Sequence, residues 1–149
     1  MGARIDVQKN GIRVHGGSLK GVELDMADTP DALPAMAVAG CFARGKTTIR
    51  NVANARLKET DRISVMAKEL GRLGSRVEEL PDGLIVHESA LRGCSVKGYG
   101  DHRVVMALAV AGLAIPGQTE VDTAESVGVT FPNFFELMEK IGAKIRTET

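Results

Sequence analysis

The stretch Asn54-Ala55-Arg56-Leu57-Lys58-Glu59-Thr60-Asp61-Arg62 carries seven polar or charged side chains directly before a periodically apolar segment. The apolar residues that follow recur at the spacing of one helix face: Ile63, Met66, Ala67, Leu70 and Leu73. This pattern predicts a helix over residues 58–73 that is closed by Gly74. The charged stretch would then form the polar front of an amphipathic helix.

Glu59 and its neighbours would place a carboxylate and two cations at the start of this helix. Glu59 lies four residues before Ile63, so we expect its carboxylate to face inward at the head of the apolar stripe. Lys58 and Arg62 are four residues apart and would share a flank of the helix. An inward carboxylate with cations beside it suits a site that binds an anion and moves a proton.

The composition is that of an ordinary globular domain, with 149 residues of which 44% are hydrophobic and 26% charged. Lys plus Arg and Asp plus Glu number 19 each, so no global field favours nucleic acid or a membrane as partner. Cys41 and Cys94 fit no disulfide or metal framework. No apolar run approaches membrane-spanning length and the first residues resemble a strand rather than a signal peptide, so we expect a cytoplasmic protein.

Alternating and helical patterns predict an α/β fold along the whole chain. Thr29 or Asp31 would cap the first helix, and Asp101 the third. The predicted helices cover residues 32–44, 58–73 and 104–114, with a last one ending at Ile141. The predicted strands are hairpins 4–7 with 12–15 and 76–80 with 84–87, and single strands 22–26, 47–52, 95–97, 119–121 and 143–146.

This order of elements contains a repeat. The tetrapeptide Ala37-Val38-Ala39-Gly40 recurs 72 positions later as Ala109-Val110-Ala111-Gly112. We therefore divide the chain into the end of one unit (1–27), a unit (28–100) and a final unit (101–149). Repeat units share one core, so an array cut within a unit would expose an apolar face, through which the chain could self-associate.

Three charged clusters stand at predicted helix starts: Asp31, the stretch 54–62, and Asp101-His102-Arg103. Free N–H groups at helix starts favour anions, and arginines bind carboxylate or phosphate in bidentate fashion. Asp31 and Glu59 could act as base and acid. No phosphate-binding glycine loop and no metal-ligand cluster is present, so we expect acid–base chemistry on an anionic substrate without cofactor or metal.

Structural roles remain open for most of these residues. Asp31 and Asp101 could be plain helix caps, and Asp61 a partner of the helix dipole. Arg62 and Arg103 could form surface ion pairs. The catalytic interpretation is favoured because the clusters occupy equivalent ends of repeated units.

The segments Asn54-x-Arg56-x-Lys58-Glu59-Thr60-Asp61-Arg62 and Gly100-Asp101-His102-Arg103 resemble the two signatures of the 5-enolpyruvylshikimate-3-phosphate synthase family. Asp28-Thr29-Pro30-Asp31 and Thr130-Phe131-Pro132-Asn133-Phe134-Phe135 are also similar to segments of that family. The resemblance covers nearly the whole chain and corresponds to the C-terminal third of the enzyme. It implies repeated βαβαββ units of the enolpyruvyl transferase type, about two of the three units of one domain.

The resemblance also implies a reaction and a set of residue roles. The family transfers the enolpyruvyl group of phosphoenolpyruvate to the 5-hydroxyl of shikimate 3-phosphate, through a tetrahedral intermediate and without a cofactor. Asp31 matches the residue that takes the hydroxyl proton, and Glu59 the residue that exchanges a proton with the methylene carbon. The positions that match binding residues are Asn54, Lys58 and Asp31 for shikimate 3-phosphate, and Arg62, Arg103 and His102 for phosphoenolpyruvate.

The sequence departs from the family in two ways. Val129 stands where many members carry a lysine that contacts phosphoenolpyruvate. The residues that the family's N-terminal portion adds to the site are absent, so we expect the isolated chain to be inactive. The alternatives are an enzyme similar to UDP-N-acetylglucosamine enolpyruvyl transferase, and a non-catalytic module that binds phosphorylated ligands or docks on a partner.

Overall fold

The computed structural model describes residues 1–148 and has the predicted α/β class. The helices are Leu33–Cys41 (α1), Arg62–Arg72 (α2), His102–Leu113 (α3) and Phe134–Lys140 (α4), with 3-10 helices over Pro30–Ala32, Ala53–Leu57 and Ala124–Val129. The strands are Arg4–Gln8 (β1), Gly11–His15 (β2), Leu19–Lys20 (β3), Glu23–Asp25 (β4), Ala43–Arg44 (β5), Lys46–Arg50 (β6), Val77–Leu80 (β7), Gly83–His87 (β8), Ser95–Val96 (β9) and Glu120–Val121 (β10). No helix among the described residues is long and apolar enough to cross a membrane.

The central sheet has the strand order β4-β6-β8-β7. β4 runs parallel to β6, whereas β8 is antiparallel to both β6 and β7. Helices α1 and α2 pack on this sheet, α3 packs against both helices, and their facing side chains form one core. The largest fully buried apolar residues of this core include Leu33, Ile49, Ile63, Met66, Leu70, Leu84 and Leu108.

The predicted repeat is present in the backbone. Glu23 pairs with Thr48 in the β4–β6 ladder, and Ser95 pairs with Glu120 in the β9–β10 ladder, at the same 72-residue offset. Helix α2 starts at residue 62 and α4 at residue 134, again 72 apart. The division at residues 27 and 100 stays a prediction.

Special backbone conformations repeat with the strands. Gly45 and Gly117 have φ angles of 87° and 93°, which a glycine adopts without steric cost. Asn51 and Thr123 have φ angles of 59° and 55°, although neither is a glycine. Each pair is separated by 72 residues, so the two units share their turns as well as their ladders.

The start of α2 differs from the prediction. The helix begins at Arg62, because the Asp61 side chain accepts a hydrogen bond from the backbone N–H of Ser64 and caps it there. Lys58 has an extended backbone, with φ −91° and ψ −160°, and follows a 3-10 helix. The predicted helix over 58–73 is therefore four residues too long, and Lys58 and Glu59 lie before it rather than on its first turn.

The remaining elements follow the predictions except at the first helix and at residues 143–146. Helix α1 ends at Cys41 instead of residue 44, and the side chains of Thr29 and Asp31 form no cap hydrogen bond. The predicted strand over residues 143–146 does not form, since none of residues 1–148 pairs with it in a ladder. In the first hairpin, Gly11 pairs with Gln8 inside the ladder, so the turn is made by Lys9 and Asn10.

Candidate active site

Arg62 is the centre of the candidate site. Its side chain is only 1% exposed, and its guanidinium donates hydrogen bonds to three carboxylates. Burial alone would lower the pKa of Arg62, but Asp101, Glu59 and Asp31 raise it above its ordinary value. This arginine is therefore a fixed buried cation, and its alternative interpretation as a surface ion-pair residue is wrong.

Asp101 holds Arg62 in place. Arg62 Nε donates to Asp101 Oδ2 at 2.8 Å and Nη2 to Oδ1 at 3.2 Å, so the pair is bidentate. The same carboxylate caps α3 by accepting from the backbone N–H groups of Arg103 and Val104. The predicted cap is confirmed. The fully buried carboxylate also joins the start of α2 to the start of α3. The only sequence signal for this role is the segment Gly100-Asp101-His102-Arg103, which contains Asp101.

Asp31 is the point at which the cations of the site converge. Its carboxylate accepts from Arg62 Nη1 at 2.8 Å and forms ion pairs with Arg103 Nη2 at 3.1 Å and Lys58 Nζ at 3.4 Å. Burial alone would raise the pKa of Asp31, but these three cations hold it below its ordinary value. With its side chain 46% exposed, Asp31 is an ionised carboxylate that solvent or a ligand can reach.

Glu59 lies on the other side of the same guanidinium. It accepts from Arg62 Nη2 at 2.6 Å, and its second oxygen is 3.9 Å from His102 Nδ1. Its side chain is 47% exposed, so the expectation of an inward-facing carboxylate is wrong. The reason is that Glu59 precedes α2 and is not part of the helical stripe.

His102 lies on the buried side of the site. Its ring is almost completely buried, and Nε2 has no hydrogen-bond partner among the described residues.

Asn54, by contrast, lies apart from these side chains. It lies exposed on the 3-10 helix over Ala53–Leu57, and within residues 1–148 no side-chain hydrogen bond joins it to the other predicted site residues.

Arg56 positions the stretch before α2, a role that the sequence alone did not predict. Its guanidinium donates to Asp61 at 2.7 Å, to Glu79 at 2.8 Å and to the backbone carbonyls of Pro81 and Leu80. These bonds fix the stretch before α2 to the β7–β8 hairpin. The signal that could have found it is its place within the charged stretch 54–62.

The arrangement suits acid–base chemistry beside an anion. We define the Arg62 cluster as Asp31, Lys58, Glu59, Arg62, Asp101, His102 and Arg103. Its three cations match its three carboxylates, and the accessible carboxylates are Asp31 and Glu59. An anionic ligand that binds Arg103 or Lys58 would therefore lie next to a carboxylate.

Comparisons with known proteins show which proteins this chain is similar to. The family model of EPSP synthase (3-phosphoshikimate 1-carboxyvinyltransferase) matches residues 1–138. The 3-phosphoshikimate 1-carboxyvinyltransferase of Ruminiclostridium cellulolyticum is 58% identical over 145 residues, which cover 97% of this chain and 34% of that protein. The enzyme of the same name from Acetivibrio thermocellus is 55% identical over 147 residues, covering 99% of this chain and 35% of that protein.

A solved structure shows the same fold. The EPSP synthase of Acinetobacter baumannii superposes with a TM-score of 0.88 at 29% identity, over 100% of this chain and 38% of that one. The chain thus spans about a third of the length of the curated relatives that it matches. The alternative of a UDP-N-acetylglucosamine enolpyruvyl transferase is not favoured by these matches. With the family model covering nearly its whole length, the chain belongs to the EPSP synthase (3-phosphoshikimate 1-carboxyvinyltransferase) family.

Proposed function

We propose that this chain supplies the C-terminal part of the active site of a 3-phosphoshikimate 1-carboxyvinyltransferase. The complete enzyme would transfer the enolpyruvyl group of phosphoenolpyruvate to the 5-hydroxyl of shikimate 3-phosphate and release phosphate, without a cofactor. The observation that carries the proposal is the convergence of Arg62, Arg103 and Lys58 on Asp31, with Glu59 on the same guanidinium.

Arg62 and Arg103 are proposed to bind phosphoenolpyruvate, with His102 beside them. The two guanidinium groups contact opposite oxygens of one carboxylate in this structure, so they lie close enough to share an anionic ligand. The buried Asp101 keeps Arg62 oriented when its accessible partners are displaced.

Asp31 and Glu59 are proposed to move the protons. Asp31, whose lowered pKa keeps it ionised, takes the proton of the substrate hydroxyl as that oxygen adds to phosphoenolpyruvate. Glu59 gives a proton to the methylene carbon, which forms the tetrahedral intermediate. Glu59 then takes a proton back from that carbon as the bond to phosphate breaks.

Lys58 and Asn54 are proposed to contact shikimate 3-phosphate. Lys58 Nζ lies 3.4 Å from Asp31, so a substrate whose hydroxyl meets Asp31 would also lie near this ammonium group. Asn54 is supported by the match to the family motif alone, since its exposed side chain stands apart from the Arg62 cluster.

The chain alone is not expected to turn over, because catalysis depends on contacts from both sides of the substrates. A direct test replaces the matching third of the Ruminiclostridium cellulolyticum relative with residues 1–149. We expect phosphate release that needs both substrates from this chimera, and none from the 149-residue chain. A folded chimera without turnover, or an isolated chain with it, would contradict the proposal.

A further inference from the structure

Glu69 is a fully buried carboxylate on α2 that the proposed reaction does not use. Its Oε2 accepts a hydrogen bond from the backbone N–H of Lys97 at 3.0 Å, and its Oε1 accepts one from the Tyr99 hydroxyl at 2.8 Å. Arg72 Nη1 lies 3.7 Å from the same Oε2. Burial of a carboxylate is costly unless hydrogen bonds compensate for it, and here both bonds come from the segment that precedes α3.

The bonded segment ends in a tight turn directly before the start of α3. The backbone N–H of Asp101 donates to the carbonyl oxygen of Gly98 at 3.1 Å, which closes the turn around Tyr99 and Gly100. Tyr99 and Gly100 have φ angles of 58° and 67°. A glycine adopts such angles without steric cost, but a tyrosine rarely does. The turn therefore depends on contacts that hold Tyr99 in place, and Glu69 binds its hydroxyl.

Residues after β10 hold the other side of this turn. Asp122 Oδ1 accepts from the N–H of Gly98 at 2.6 Å, and Thr123 Oγ1 accepts from the N–H of Gly100 at 3.0 Å. A Cβ added at Gly98 would overlap Val105 of α3 and the carbonyl oxygen of Asp122, so nothing larger than glycine fits there. The turn is thus held between the segment after β10 and α2.

The equivalent turn of the first unit is built without these features. The N–H of Thr29 donates to the carbonyl oxygen of Met26 at 3.1 Å, which is the same bond 72 positions earlier. Its two central residues, Ala27 and Asp28, do not have positive φ angles. Because the fold can make this turn without a left-handed tyrosine bound to a buried carboxylate, the second unit has these features for a reason other than the fold itself.

Glu69 and Arg62 act on the same stretch from one face of α2. They are seven residues apart, close to two helical turns, and so lie on the same face. Arg62 binds Asp101 in bidentate fashion, and Glu69 binds the segment that leads into Asp101. Two residues after Asp101, Arg103 contacts Asp31. The conformation of the turn therefore sets where Asp101 meets Arg62 and where Arg103 points.

We propose that Glu69 is a positioning residue for phosphoenolpyruvate binding, an inference that rests on the proposed function. Its two hydrogen bonds hold the turn before α3, and the turn orients the two arginines that are proposed to bind this substrate. Lys58 and Asn54, which are proposed to contact shikimate 3-phosphate, precede α2 and lie outside the turn. Loosening the turn should therefore weaken phosphoenolpyruvate binding selectively.

Steady-state kinetics of the chimera with the Ruminiclostridium cellulolyticum relative test this. Tyr99→Phe removes only the hydroxyl that Glu69 binds, so the KM for phosphoenolpyruvate should rise at least about fivefold. The KM for shikimate 3-phosphate should stay within about twofold of the parent value. The control Lys68→Gln removes an ammonium group 5.9 Å from the centre of the Tyr99 ring but keeps the hydroxyl bond, and should match the parent chimera.

Two substitutions test Glu69 itself. Glu69→Leu removes both acceptors at similar volume and should raise the KM for phosphoenolpyruvate at least as much as Tyr99→Phe. If that variant does not fold, Tyr99→Phe decides, because it keeps the shape of the ring. Glu69→Gln can accept from the Lys97 N–H and donate to the Tyr99 hydroxyl oxygen, so it should stay within about twofold of the parent. A Glu69→Gln variant that is no better than Tyr99→Phe overturns the proposal.

Hydrogen exchange of the same chimeras gives a readout that needs no turnover. In Tyr99→Phe the backbone amides of residues 98–104 should exchange at least about fivefold faster, whereas those of the β7–β8 hairpin should be unchanged. A KM for phosphoenolpyruvate that does not rise, an equal rise in both KM values, or unchanged exchange over residues 98–104 overturns the proposal. A chimera without turnover contradicts the proposed function instead, and exchange alone then shows whether Glu69 holds the turn.

Discussion

The starts of α2 and α4 occupy equivalent places in the two units, but the first carries a charged pair and the second an aromatic pair. Glu59 and Arg62 form an ion pair at 2.6 Å in the first unit. The residues 72 positions later, Phe131 and Phe134, form an edge-to-face ring pair with centroids 5.6 Å apart. A 3-10 helix precedes each pair. Because the backbone accepts either pair, the fold alone does not require the charges, which favours a functional reason for them in the first unit.

A second equivalent pair extends this comparison. Asp31 and Arg103 are also 72 positions apart, and they bind each other at 3.1 Å across the two units. The repeat therefore brings two equivalent positions together and gives them opposite charge. An anion that binds Arg103 therefore meets the negative charge of Asp31, which occupies the same position in the other unit.

The largest expected effect distinguishes the β7–β8 hairpin, which belongs to the four-stranded sheet, from the β1–β2 hairpin, which forms a sheet of its own. Gly83→Ala places a methyl group against the carbonyl of Ile49 and should force β6 and β8 apart. We expect a loss of more than about 5 kcal/mol in the free energy of unfolding, or no folded protein. Gly11→Ala, the equivalent change, should stay within about 0.5 kcal/mol in dilute monomer. Denaturant unfolding measures both, and equal losses would contradict the comparison.

The next largest effect should distinguish Asp101 from Thr29, which lie at equivalent positions before α3 and α1. Asp101→Ala removes a cap and breaks a buried ion pair with Arg62, and should cost about 3 kcal/mol of unfolding free energy. Thr29 stands 72 positions earlier and forms no cap hydrogen bond, so Thr29→Ala should cost no more than about 0.5 kcal/mol. If both variants unfold at the parent's midpoint, Asp101 does not anchor the cluster.

A smaller effect is expected on anion binding by the isolated chain. Asp31→Asn removes the negative charge that neutralises Arg103 and Lys58, so phosphate and phosphoenolpyruvate should bind about fivefold more tightly, a gain of about 1 kcal/mol. The exposed Asp28, which forms no ion pair within residues 1–148, provides the control Asp28→Asn. The affinity of both variants is measured by titrating phosphate or phosphoenolpyruvate and following the NMR shifts of the backbone amides. Unchanged or weaker binding by Asp31→Asn would show that Asp31 does not compete with the ligand.

The smallest effect concerns pH. The pKa of Asp31 is lowered in the folded chain, so its ion pairs stabilise the fold above the ordinary value of 3.8. That contribution is lost as the pH falls from there through the lower folded value. Asp31→Asn should therefore lose less stability than the parent or Asp28→Asn when unfolding is compared just above and well below pH 3.8. Parallel curves for all three proteins would contradict the assigned ion pairs.

Much of the fold could be predicted because periodicity, turn residues and the repeat all act locally. Both hairpins, the cap by Asp101 and the 72-residue offset follow from patterns within the printed sequence. The start of α2 could not be predicted as easily, since Lys58 and Glu59 are good helix formers and Asp61 resembles a first-turn residue as much as a cap.

Most members of the Arg62 cluster could be predicted from the sequence, although the predicted Asn54 lies outside it and the geometry could not be predicted. The charged motifs predicted that Asp31, Glu59, Arg62 and Arg103 belong together, and the structure brings them together. The burial of Arg62 and its bidentate bond to Asp101 depend on how α2 meets α3, which no local pattern encodes. The strand expected at residues 143–146 failed for the same reason, because a strand requires a partner and not only an alternating pattern.

The most direct test of the central claim, that the Arg62 cluster moves protons on phosphoenolpyruvate, is the turnover of the chimera with and without Glu59→Gln. The amide keeps the shape of Glu59 but cannot exchange the proton, so turnover should fall about 10²- to 10⁴-fold while phosphoenolpyruvate affinity is largely kept. A variant whose turnover stays within about threefold of the unsubstituted chimera, well short of that general acid–base range, would show that Glu59 is not the proton donor and would contradict the account.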